Sequence, residues 1–461
     1  MLSRFLRHSS VARVFPARYL NVPFQDDLTP ADDERFNLDG FRDYKESPEV
    51  RAHREKLGLV QETEERETKR QRIADDTESV QRDISRLSLA EATTMRKPLV
   101  FVSRLTNPYL NLALEDYVYH KMPLPEENEQ NCNRLMFYLN TPCVVIGKNQ
   151  NPWREVNMPL LNSLKLPLVR RRSGGGTVVH DMGNVNYSFM TTKADFDRKK
   201  FANVVCAAVN EIALPEKQIM VTDRGDIVTI KDQLKVSGSA YKLTKGRSYH
   251  HGTMLLNSKL DVLRQLLHRD EAEVGYVEST ASVSSVKSPV TNLGLEKDDF
   301  IEAVSNEFKA EFGSVKESTS EEKEPEDMDE NEFFGLQDLV NAFSERECQT
   351  FVIDDSTELP QEVEDMKREL MSWEWKFGST AKFTHRFVHP EKSLTVEFDV
   401  AKGRLQAFRV DGNQQALEAM EFLNIMLARG DGIAYTGSDV AGFITDDSIS
   451  EWIGNAIDGS S

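Results

Sequence analysis

Three consecutive arginines run almost directly into three glycines, and this short segment limits the fold more than any other part of the chain. Residues 170–172 are all Arg, and Ser173 separates them from the glycines at 174–176. Runs of strand-forming residues flank the segment at 166–170 and 177–180. Glycines let backbone amides approach an anion while guanidinium groups neutralise its charge. The segment therefore predicts a phosphate site between two strands, and a glycine-rich hairpin with a solvated basic flank is an equally weighted alternative.

Neither of the two common nucleotide-phosphate fingerprints accompanies this segment. The P-loop spacing G-x-x-x-x-G-K-[ST] is absent, and so is the dinucleotide spacing G-x-G-x-x-G. A second segment adds a candidate cation, because Lys235 stands among small residues in a run predicted as a strand over 233–237. An inward-pointing lysine there would neutralise a phosphate or a carboxylate. An ordinary edge-strand lysine is the alternative.

His250 and His251 stand side by side in another strand-like run. Adjacent strand residues face opposite sides of a sheet, so the two rings cannot easily chelate one ion together. Metal ligation at this pair is therefore disfavoured. The four cysteines form no C-x-x-C pair, so neither a disulfide framework nor a structural zinc site is indicated.

Short strand-like runs dominate the middle of the chain, and Gly, Pro and Asn separate them. With few helices between the strands, this pattern favours an α+β domain with a largely antiparallel or mixed sheet. A helix is predicted after Asn107-Pro108, and a smaller α+β C-terminal domain is predicted after Pro360. The predicted strands are 135–139, 143–147, 166–170, 177–180, 185–189, 233–237, 249–256, 382–388 and 394–400, and the C-terminal helices are 362–370, 417–427 and 449–457.

The charge argues against nucleic acid as the main partner, and the hydropathy argues against a membrane-embedded protein. The 461 residues include 57 Lys+Arg and 76 Asp+Glu, which gives a formal charge of −19. A net-negative chain must gather its basic residues into a local patch before it gains from phosphate contacts, so nucleic acid is disfavoured. No window approaches the roughly 18 consecutive apolar residues of a membrane-spanning helix, so a membrane-embedded protein is not expected.

Three polar segments are expected to lie outside the packed domains. Residues 1–25 carry arginines and no acidic residue, with Leu2, Phe5 and Leu6 on one helical face, which is typical of an organelle-targeting presequence. A disordered basic tail is the alternative. Residues 26–97 predict a charged linker or solvated helix, and 316–331 predict an exposed acidic loop.

Taken together, these segments resemble the lipoate-protein ligase A family, a branch of the biotin/lipoate protein ligase superfamily. The resemblance runs from about residue 99 to 295 and resumes in the C-terminal part. The Gly-Arg-Gly-Arg loop of the neighbouring biotin ligases is absent. The matching motifs are Asn107-Pro108 with Leu114-Glu115, Val144 to Gly147, Asn149 to Trp153, Arg170 to Asp181, Lys235 to Tyr241, His250 to Thr253, Ser285 to Leu293, and Ser372 to Trp375.

The resemblance implies roles for particular residues. Lys235 matches the family lysine that contacts both nucleotide and lipoate, and it is the expected catalytic residue. Asp226 matches a position that faces the adenylate, where it would hold magnesium or the adenosine. His180 belongs to the wall of the site, with a structural role as the alternative. The remaining expected nucleotide-binding positions are Arg171, Gly174, Gly175, Gly176, Thr177, Val178 and Val179.

The resemblance also implies an activity and its partners. The expected enzyme activates lipoate with ATP to lipoyl-AMP, then transfers the lipoyl group to a lysine of a lipoyl domain. ATP, Mg²⁺ and lipoate or octanoate would be substrates, with no tightly bound prosthetic group and no resident metal. Apo lipoyl domains of 2-oxoacid dehydrogenase E2 subunits and the glycine cleavage H protein are the expected acceptors. An acyltransferase that uses a preformed activated donor and a non-catalytic assembly factor are the alternatives.

The same resemblance suggests the domain organisation and location. We expect a biotin/lipoate ligase-like mixed-sheet catalytic domain over 98–355 and an accessory domain over 356–461. The presequence at 1–25 favours the mitochondrial matrix, since the lipoyl-bearing complexes reside there.

Overall fold

The computed structural model describes residues 84, 87–126, 129–315, 346–430 and 432–460, all within one compact unit. The predicted presequence, most of the charged segment at 26–97 and the acidic loop at 316–331 lie outside the described residues. Near the end of the charged segment, Ile84 and Leu87 pack against the core that also contains the first strand and the long helix after Pro108.

The strands and helices are numbered in chain order. The strands are β1 (Leu99–Ser103), β2 (Arg134–Tyr138), β3 (Cys143–Ile146), β4 (Leu168–Arg170), β5 (Val178–His180), β6 (Asn184–Thr192), β7 (Ile219–Val221), β8 (Ile227–Thr229), β9 (Ser239–Leu243), β10 (Arg247–Leu255), β11 (Tyr276–Glu278), β12 (Ser314–Val315), β13 (Arg346–Glu347), β14 (Gln349–Ile353), β15 (Phe383–Val388), β16 (Thr395–Ala401) and β17 (Arg404–Asp411). The helices are α1 (Leu89–Thr94), α2 (Pro108–Lys121), α3 (Pro152–Glu155), α4 (Met158–Ser163), α5 (Lys200–Ile212), α6 (Leu260–Leu267), α7 (Glu271–Val274), α8 (Lys297–Phe312), α9 (Gln361–Met371), α10 (Gln414–Ala419), α11 (Glu421–Arg429), α12 (Gly437–Ala441) and α13 (Asp447–Ile457), with a π-helical turn at Glu374–Gly378.

The largest sheet is mixed, which confirms the predicted fold class. Its order is β14-β1-β2-β6-β10-β9. Strands β14, β1 and β2 run parallel, while β2, β6, β10 and β9 pair antiparallel. Helix α2 packs on one face, where Asn107 caps its first turn and Pro108 occupies a position that needs no backbone donor. Helices α5 and α8 close the opposite face.

A three-stranded sheet carries the arginine-glycine segment. In the order β4-β3-β5, β3 is the middle strand, parallel to β4 and antiparallel to β5. Residues 171–177 therefore cross the end of β3 to join β4 to β5, two strands that are not hydrogen-bonded to each other. Arg170 and Arg171 are buried. The alternative of a hairpin with a solvated basic flank is wrong.

A third sheet contains the C-terminal strands. Its order is β11-β15-β16-β17, so β11 joins strands that lie about a hundred residues later in the chain. Buried residues alternate with half-buried ones along β16, as expected for a sheet with one face on a core. Helices α10 to α13 cover that face, and Trp153 of α3 lies in the same core.

Two predicted elements differ from the structure. The predicted strand over 233–237 is absent from the named strands, and Lys235 instead forms isolated bridges with Val228 and Val290. Gln233 has a φ of 55°, which breaks the extended backbone just before the lysine. The predicted helix at 417–427 is divided between α10 and α11, which meet at Met420.

No described helix has the length and apolar character needed to cross a bilayer. The predicted boundary between catalytic and accessory domains at residue 355 stays a prediction.

Candidate functional site

A cavity of about 1030 Å³ opens beside the arginine-glycine segment. Eight of the ten nucleotide-site residues expected from the sequence line it. Gly174 and Asp226 are the other two, and each is next to or bonded to a lining residue. The eight are Arg171, Gly175, Gly176, Thr177, Val178, Val179, His180 and Lys235.

Arg171 shapes the glycine turn from inside. Its Nη2 donates to the carbonyl oxygens of Gly174 at 2.7 Å and Gly176 at 2.6 Å. Its Nε donates to Ser173 Oγ at 3.0 Å, and Nη1 reaches the Val145 carbonyl at 3.3 Å. Burial lowers the pKa of this guanidinium to about 10, so the group stays charged near neutral pH. Because these bonds hold the carbonyls of the turn inward, they orient its amides.

The turn depends on two glycines that meet. A Cβ on Gly147 would lie 2.2 Å from the carbonyl oxygen of Gly175, so the end of β3 and the turn touch through backbone alone. Gly175 itself has a φ of +88°, which side chains rarely tolerate. Among the described residues, no acceptor is hydrogen-bonded to the amides of Gly174, Gly175 or Gly176. Three unpaired amides in one turn are suited to bind an anion.

Thr177 is held by residues from two other segments. Its amide donates to Ser285 Oγ at 2.9 Å, and its hydroxyl donates to Gln150 Oε1 at 3.0 Å. Gln150 also accepts from the Gly147 amide at 2.8 Å and donates to Ser285 Oγ at 3.0 Å. One glutamine therefore fixes both sides of the glycine turn and the segment that covers it.

Lys235 and Asp226 are bonded to each other. Lys235 Nζ donates to Asp226 Oδ1 at 2.6 Å, and both side chains keep about a quarter of their surface exposed, at 23% and 28%. The lysine backbone is anchored on both sides, because its amide donates to Pro289 and its carbonyl accepts from Thr291. The pair therefore presents an ammonium group at the cavity wall with some freedom to change partners.

A buried relay of three side chains supports the turn from the other side, and the sequence did not point to it. Ser173 Oγ lies 2.7 Å from His251 Nε2, and His251 Nδ1 lies 2.8 Å from Glu115 Oε1. Burial alone would raise the pKa of Glu115, but His251, Ser188 and Lys242 together hold that pKa below its usual value. His250, on the opposite face of β10, contacts the ring of Tyr241. The prediction that the two histidines face opposite ways is confirmed.

Apolar and aromatic side chains also line the cavity. Leu112, Tyr138 and Val145 line it, and all three are buried. Val144 and Ile146 point to a different core with Trp153, so they are ordinary packing residues. His180 also lines the cavity, where its Nδ1 accepts from the Asn140 amide at 2.9 Å.

The two flanking arginines bind protein groups. Arg170 donates to the carbonyl of Lys376 at 2.7 Å and to Thr380 Oγ1 at 2.8 Å. Arg172 forms ion pairs with Asp116 at 2.9 Å and Glu369 at 2.6 Å. These contacts tie the strand before the turn to the C-terminal part of the chain. Arg171 is therefore the arginine of the three that shapes the cavity.

Three buried histidines predict a steep loss of stability in mild acid. Burial lowers the pKa of His180, His250 and His385 to about 3, below the ordinary value of 6.5. Below about pH 6.5 the unfolded chain binds protons that the native chain does not, so the unfolding free energy falls as pH falls. Between about pH 7.5 and about pH 5.5, the three groups together should cost about 4 kcal/mol, measurable by urea unfolding.

The matched variant is His250→Leu, because neither ring nitrogen of His250 has a hydrogen-bond partner among the described residues. It should remove about one third of the pH dependence, whatever it does to the stability at neutral pH. An unchanged pH dependence in this variant would show that His250 titrates normally in the folded chain.

Comparison with known proteins places the chain in a family. The Lipoyl protein ligase A/B catalytic domain matches residues 107–313. A Schizosaccharomyces pombe protein named as a lipoate-protein ligase A is 36% identical over 321 residues, which cover 67% of this chain and 78% of that protein. The chain belongs to the lipoate-protein ligase A family. A Saccharomyces cerevisiae protein of the same name is 37% identical over 324 residues, which cover 70% of this chain and 69% of the yeast protein.

Among solved structures, the P. falciparum LipL1 complex with lipoate is 22% identical, covers 77% of this chain and 98% of its own, and has a TM-score of 0.44. The family assignment rests on the sequence relatives and makes the chain an enzyme of the lipoate-protein ligase class. In the part of the chain that the structure describes, no cluster of three or more His, Cys, Asp or Glu side chains is arranged to hold a metal ion.

Proposed function

We propose that this lipoate-protein ligase activates lipoate with ATP and transfers the lipoyl group to a lysine of a lipoyl domain. In the first step a lipoate carboxylate oxygen attacks the α-phosphorus of ATP, the bond to the β-phosphate breaks, and pyrophosphate leaves. In the second step the lysine amine attacks the acyl carbon, loses a proton, and AMP leaves. The observation that carries the proposal is that the Arg171-held turn and the Lys235 ammonium line one cavity.

The charges of the first step explain why both groups are needed. The carboxylate and the α-phosphate repel each other, and positive charge held between them lowers the barrier. The three unpaired amides of the turn suit the phosphates, while the Lys235 ammonium suits the meeting point of the two anions. To reach them, the ammonium must exchange its contact with Asp226 for the substrates.

The buried apolar residues of the cavity lining suit the hydrocarbon part of the acyl substrate. Leu112, Tyr138 and Val145 offer the apolar wall that such a chain requires.

ATP would enter as its magnesium complex. Magnesium often binds one or two carboxylates together with substrate phosphates, and Asp226 fits that need. The ion would offset part of the triphosphate charge.

The decisive experiment looks for the intermediate. The full chain, with Mg-ATP and lipoate but no acceptor, should form lipoyl-AMP that mass spectrometry detects. Adding an apo lipoyl domain should consume the adenylate and add a lipoyl group to the acceptor lysine. Transfer from supplied lipoyl-AMP or acyl-CoA without adenylate formation would replace the proposal by an acyltransferase. Absence of both steps would leave only a binding role.

A thiol-based transferase is not favoured by the positions of the cysteines. Cys132, Cys143 and Cys206 are buried, and Cys348 is half-buried. Burial raises the pKa of Cys206 and Cys348 to about 12, so both thiols stay protonated. None of the four lines the cavity.

Acceptor capture should depend only weakly on salt. Three basic side chains close to the glycine turn are already paired: Arg172 and Lys242 both bind Asp116, and Arg170 donates to backbone carbonyls. The chain is also acidic, at −19, so long-range attraction of an acidic acceptor is not expected. The KM for the apo lipoyl domain should change less than about twofold between roughly 50 and 200 mM salt. A tenfold rise would reveal an electrostatic docking patch.

We also propose that the enzyme works in the mitochondrial matrix, on the basis of the acid-free, arginine-containing first 25 residues. A fluorescent fusion of the full chain should colocalise with a matrix marker, and the same fusion without residues 1–25 should not. Matrix location of the shortened fusion would contradict a presequence role for this segment.

A further inference from the structure

The hydroxyl group of Ser285 has two donors as partners at the wall of the functional cavity. Its Oγ accepts from the Thr177 amide at 2.9 Å and from Gln150 Nε2 at 3.0 Å. Ser285 is half-buried and lines the cavity. A hydroxyl group has two acceptor lone pairs and one O–H donor. Both lone pairs of Ser285 are therefore occupied, and its O–H needs an acceptor elsewhere.

Gln150 decides which way these hydrogen bonds run. It is only 1% exposed, and its Oε1 accepts from the Gly147 amide at 2.8 Å and from Thr177 Oγ1 at 3.0 Å. A backbone amide can only donate, so the oxygen of the side-chain amide must face Gly147 and its nitrogen must face Ser285. The glutamine therefore donates to Ser285 and cannot accept a hydrogen bond from it.

Ser285 is held beside the glycine turn by its backbone as well. Its amide donates to Glu155 Oε2 at 3.0 Å. A Cβ on Gly176 would lie 3.2 Å from Ser285 Oγ, so the hydroxyl touches the last glycine of the turn. Further along the same segment, the Pro289 carbonyl accepts from the amide of Lys235. The segment therefore connects the glycine turn to the lysine, and Ser285 stands at the end next to the turn.

No described residue accepts a hydrogen bond from the Ser285 hydroxyl. The three neighbouring glycine amides have no acceptor in the described part of the chain either. Four donors that face no protein acceptor, side by side in one cavity, suit an anion with several oxygens. We propose that the Ser285 O–H donates to a phosphate oxygen of the nucleotide, and that Gln150 is the positioning residue that directs it there. This inference rests on the proposed ATP site.

Gln150→Glu would reverse the direction of the bond to Ser285. A carboxylate accepts hydrogen bonds and cannot donate them, yet it still offers an oxygen to the Gly147 amide. The Ser285 O–H would then turn from the cavity toward the new carboxylate. A phosphate oxygen at the turn would meet a lone pair of Ser285 in place of a donor.

Calorimetric titration of the full chain with Mg-ATP, without lipoate, measures the contact directly. Ser285→Ala should weaken ATP binding at least about tenfold, because a hydrogen bond to a charged acceptor is lost. The matched control is Ser284→Ala, at the exposed serine just before it, which should bind ATP as the wild type does. Inorganic tripolyphosphate should lose about the same factor as ATP in Ser285→Ala, whereas adenosine binding should not change.

A double-mutant cycle tests the role of Gln150. Its new charge should weaken ATP binding in Gln150→Glu in any case, so the informative quantity is the additional cost of Ser285→Ala in that background. Since the O–H has already turned away, this cost should fall from about tenfold to less than about twofold. If Gln150→Glu does not fold, Gln150→Met keeps the length without a donor or a charge, and Ser285→Ala should there cost less than about threefold.

Four results would overturn the inference. Wild-type ATP affinity in Ser285→Ala would remove the hydroxyl from the phosphate site, and an equal loss of adenosine binding would show that the covering segment had collapsed. The full tenfold cost of Ser285→Ala in the Gln150 variant would remove Gln150 as the positioning residue. A wild-type chain that binds neither ATP nor tripolyphosphate would contradict the site itself, whereas ATP binding without adenylate formation would contradict the proposed function alone.

Discussion

Replacing Lys235 with alanine should lower the rate of lipoyl-AMP formation at least about a thousandfold, which corresponds to about 4 kcal/mol of transition-state stabilisation. The ammonium lines the cavity beside the glycine turn, and two anions must meet there. Its bond to Asp226 is short and partly exposed, so removing the lysine should not destabilise the fold greatly. Quench-flow or mass-spectrometric assay of the adenylate, without acceptor, measures this step alone.

Lys231 provides the matched control. It is an exposed lysine four residues earlier, at the tip of the same connection, and Lys231→Ala should keep the wild-type rate. Lys235→Arg keeps the charge but changes the shape of the donor, and should recover only part of the activity. Wild-type rates in Lys235→Ala would remove the lysine from the chemistry. Transfer from supplied lipoyl-AMP separates a defect in activation from a general loss of the site.

The mixed sheet was predictable because its strands follow local patterns. The runs at 135–139, 143–147 and 249–256 are rich in strand-forming residues and end at turn residues, and each became a strand within about two residues. The helix after Pro108 was equally local, since its cap and first turn depend on neighbouring residues. Hydrophobic periodicity and helix capping depend only on residues close together in the chain, so one sequence is enough to detect them.

The segment around Lys235 was predicted less well because its partners are distant in sequence. Its backbone bridges β8 on one side and Val290 on the other. Small residues near the lysine predicted a strand, but the positive φ of Gln233 interrupts it. The backbone conformation around Lys235 depends on tertiary contacts, which local strand propensity does not indicate.

The three arginines show the same limit at the site. Their adjacency indicated anion binding for all, yet Arg170 donates to the carbonyl of Lys376, about two hundred residues later, and Arg172 pairs with Glu369. Arg171 alone of the three turns toward the glycines. Adjacent residues along an extended backbone face opposite ways, so three neighbouring guanidinium groups cannot all point into one site, and adjacency does not indicate which partner each arginine finds. The relay from Ser173 through His251 to Glu115 was missed for the same reason.

The second large effect is expected for Gly147→Ala, a change of one methyl group at a position that touches no substrate in the proposed reaction. The added Cβ would lie 2.2 Å from the Gly175 carbonyl oxygen, so the glycine turn must shift. Because Arg171 holds the neighbouring carbonyls, a shift would also misalign the unpaired amides of the turn. We expect the KM for ATP in adenylate formation to rise at least about a hundredfold, and overpacking to cost about 1–3 kcal/mol of unfolding free energy.

Gly174→Ala is the matched comparison, because it adds the same methyl group to the same turn. Its Cβ would meet no heavy atom within 4 Å, so it should not lower the unfolding free energy. Urea unfolding should therefore separate the two variants before any substrate is added. Normal ATP kinetics in Gly147→Ala, together with reduced stability, would mean that the shape of the turn matters for folding and that other groups hold the nucleotide.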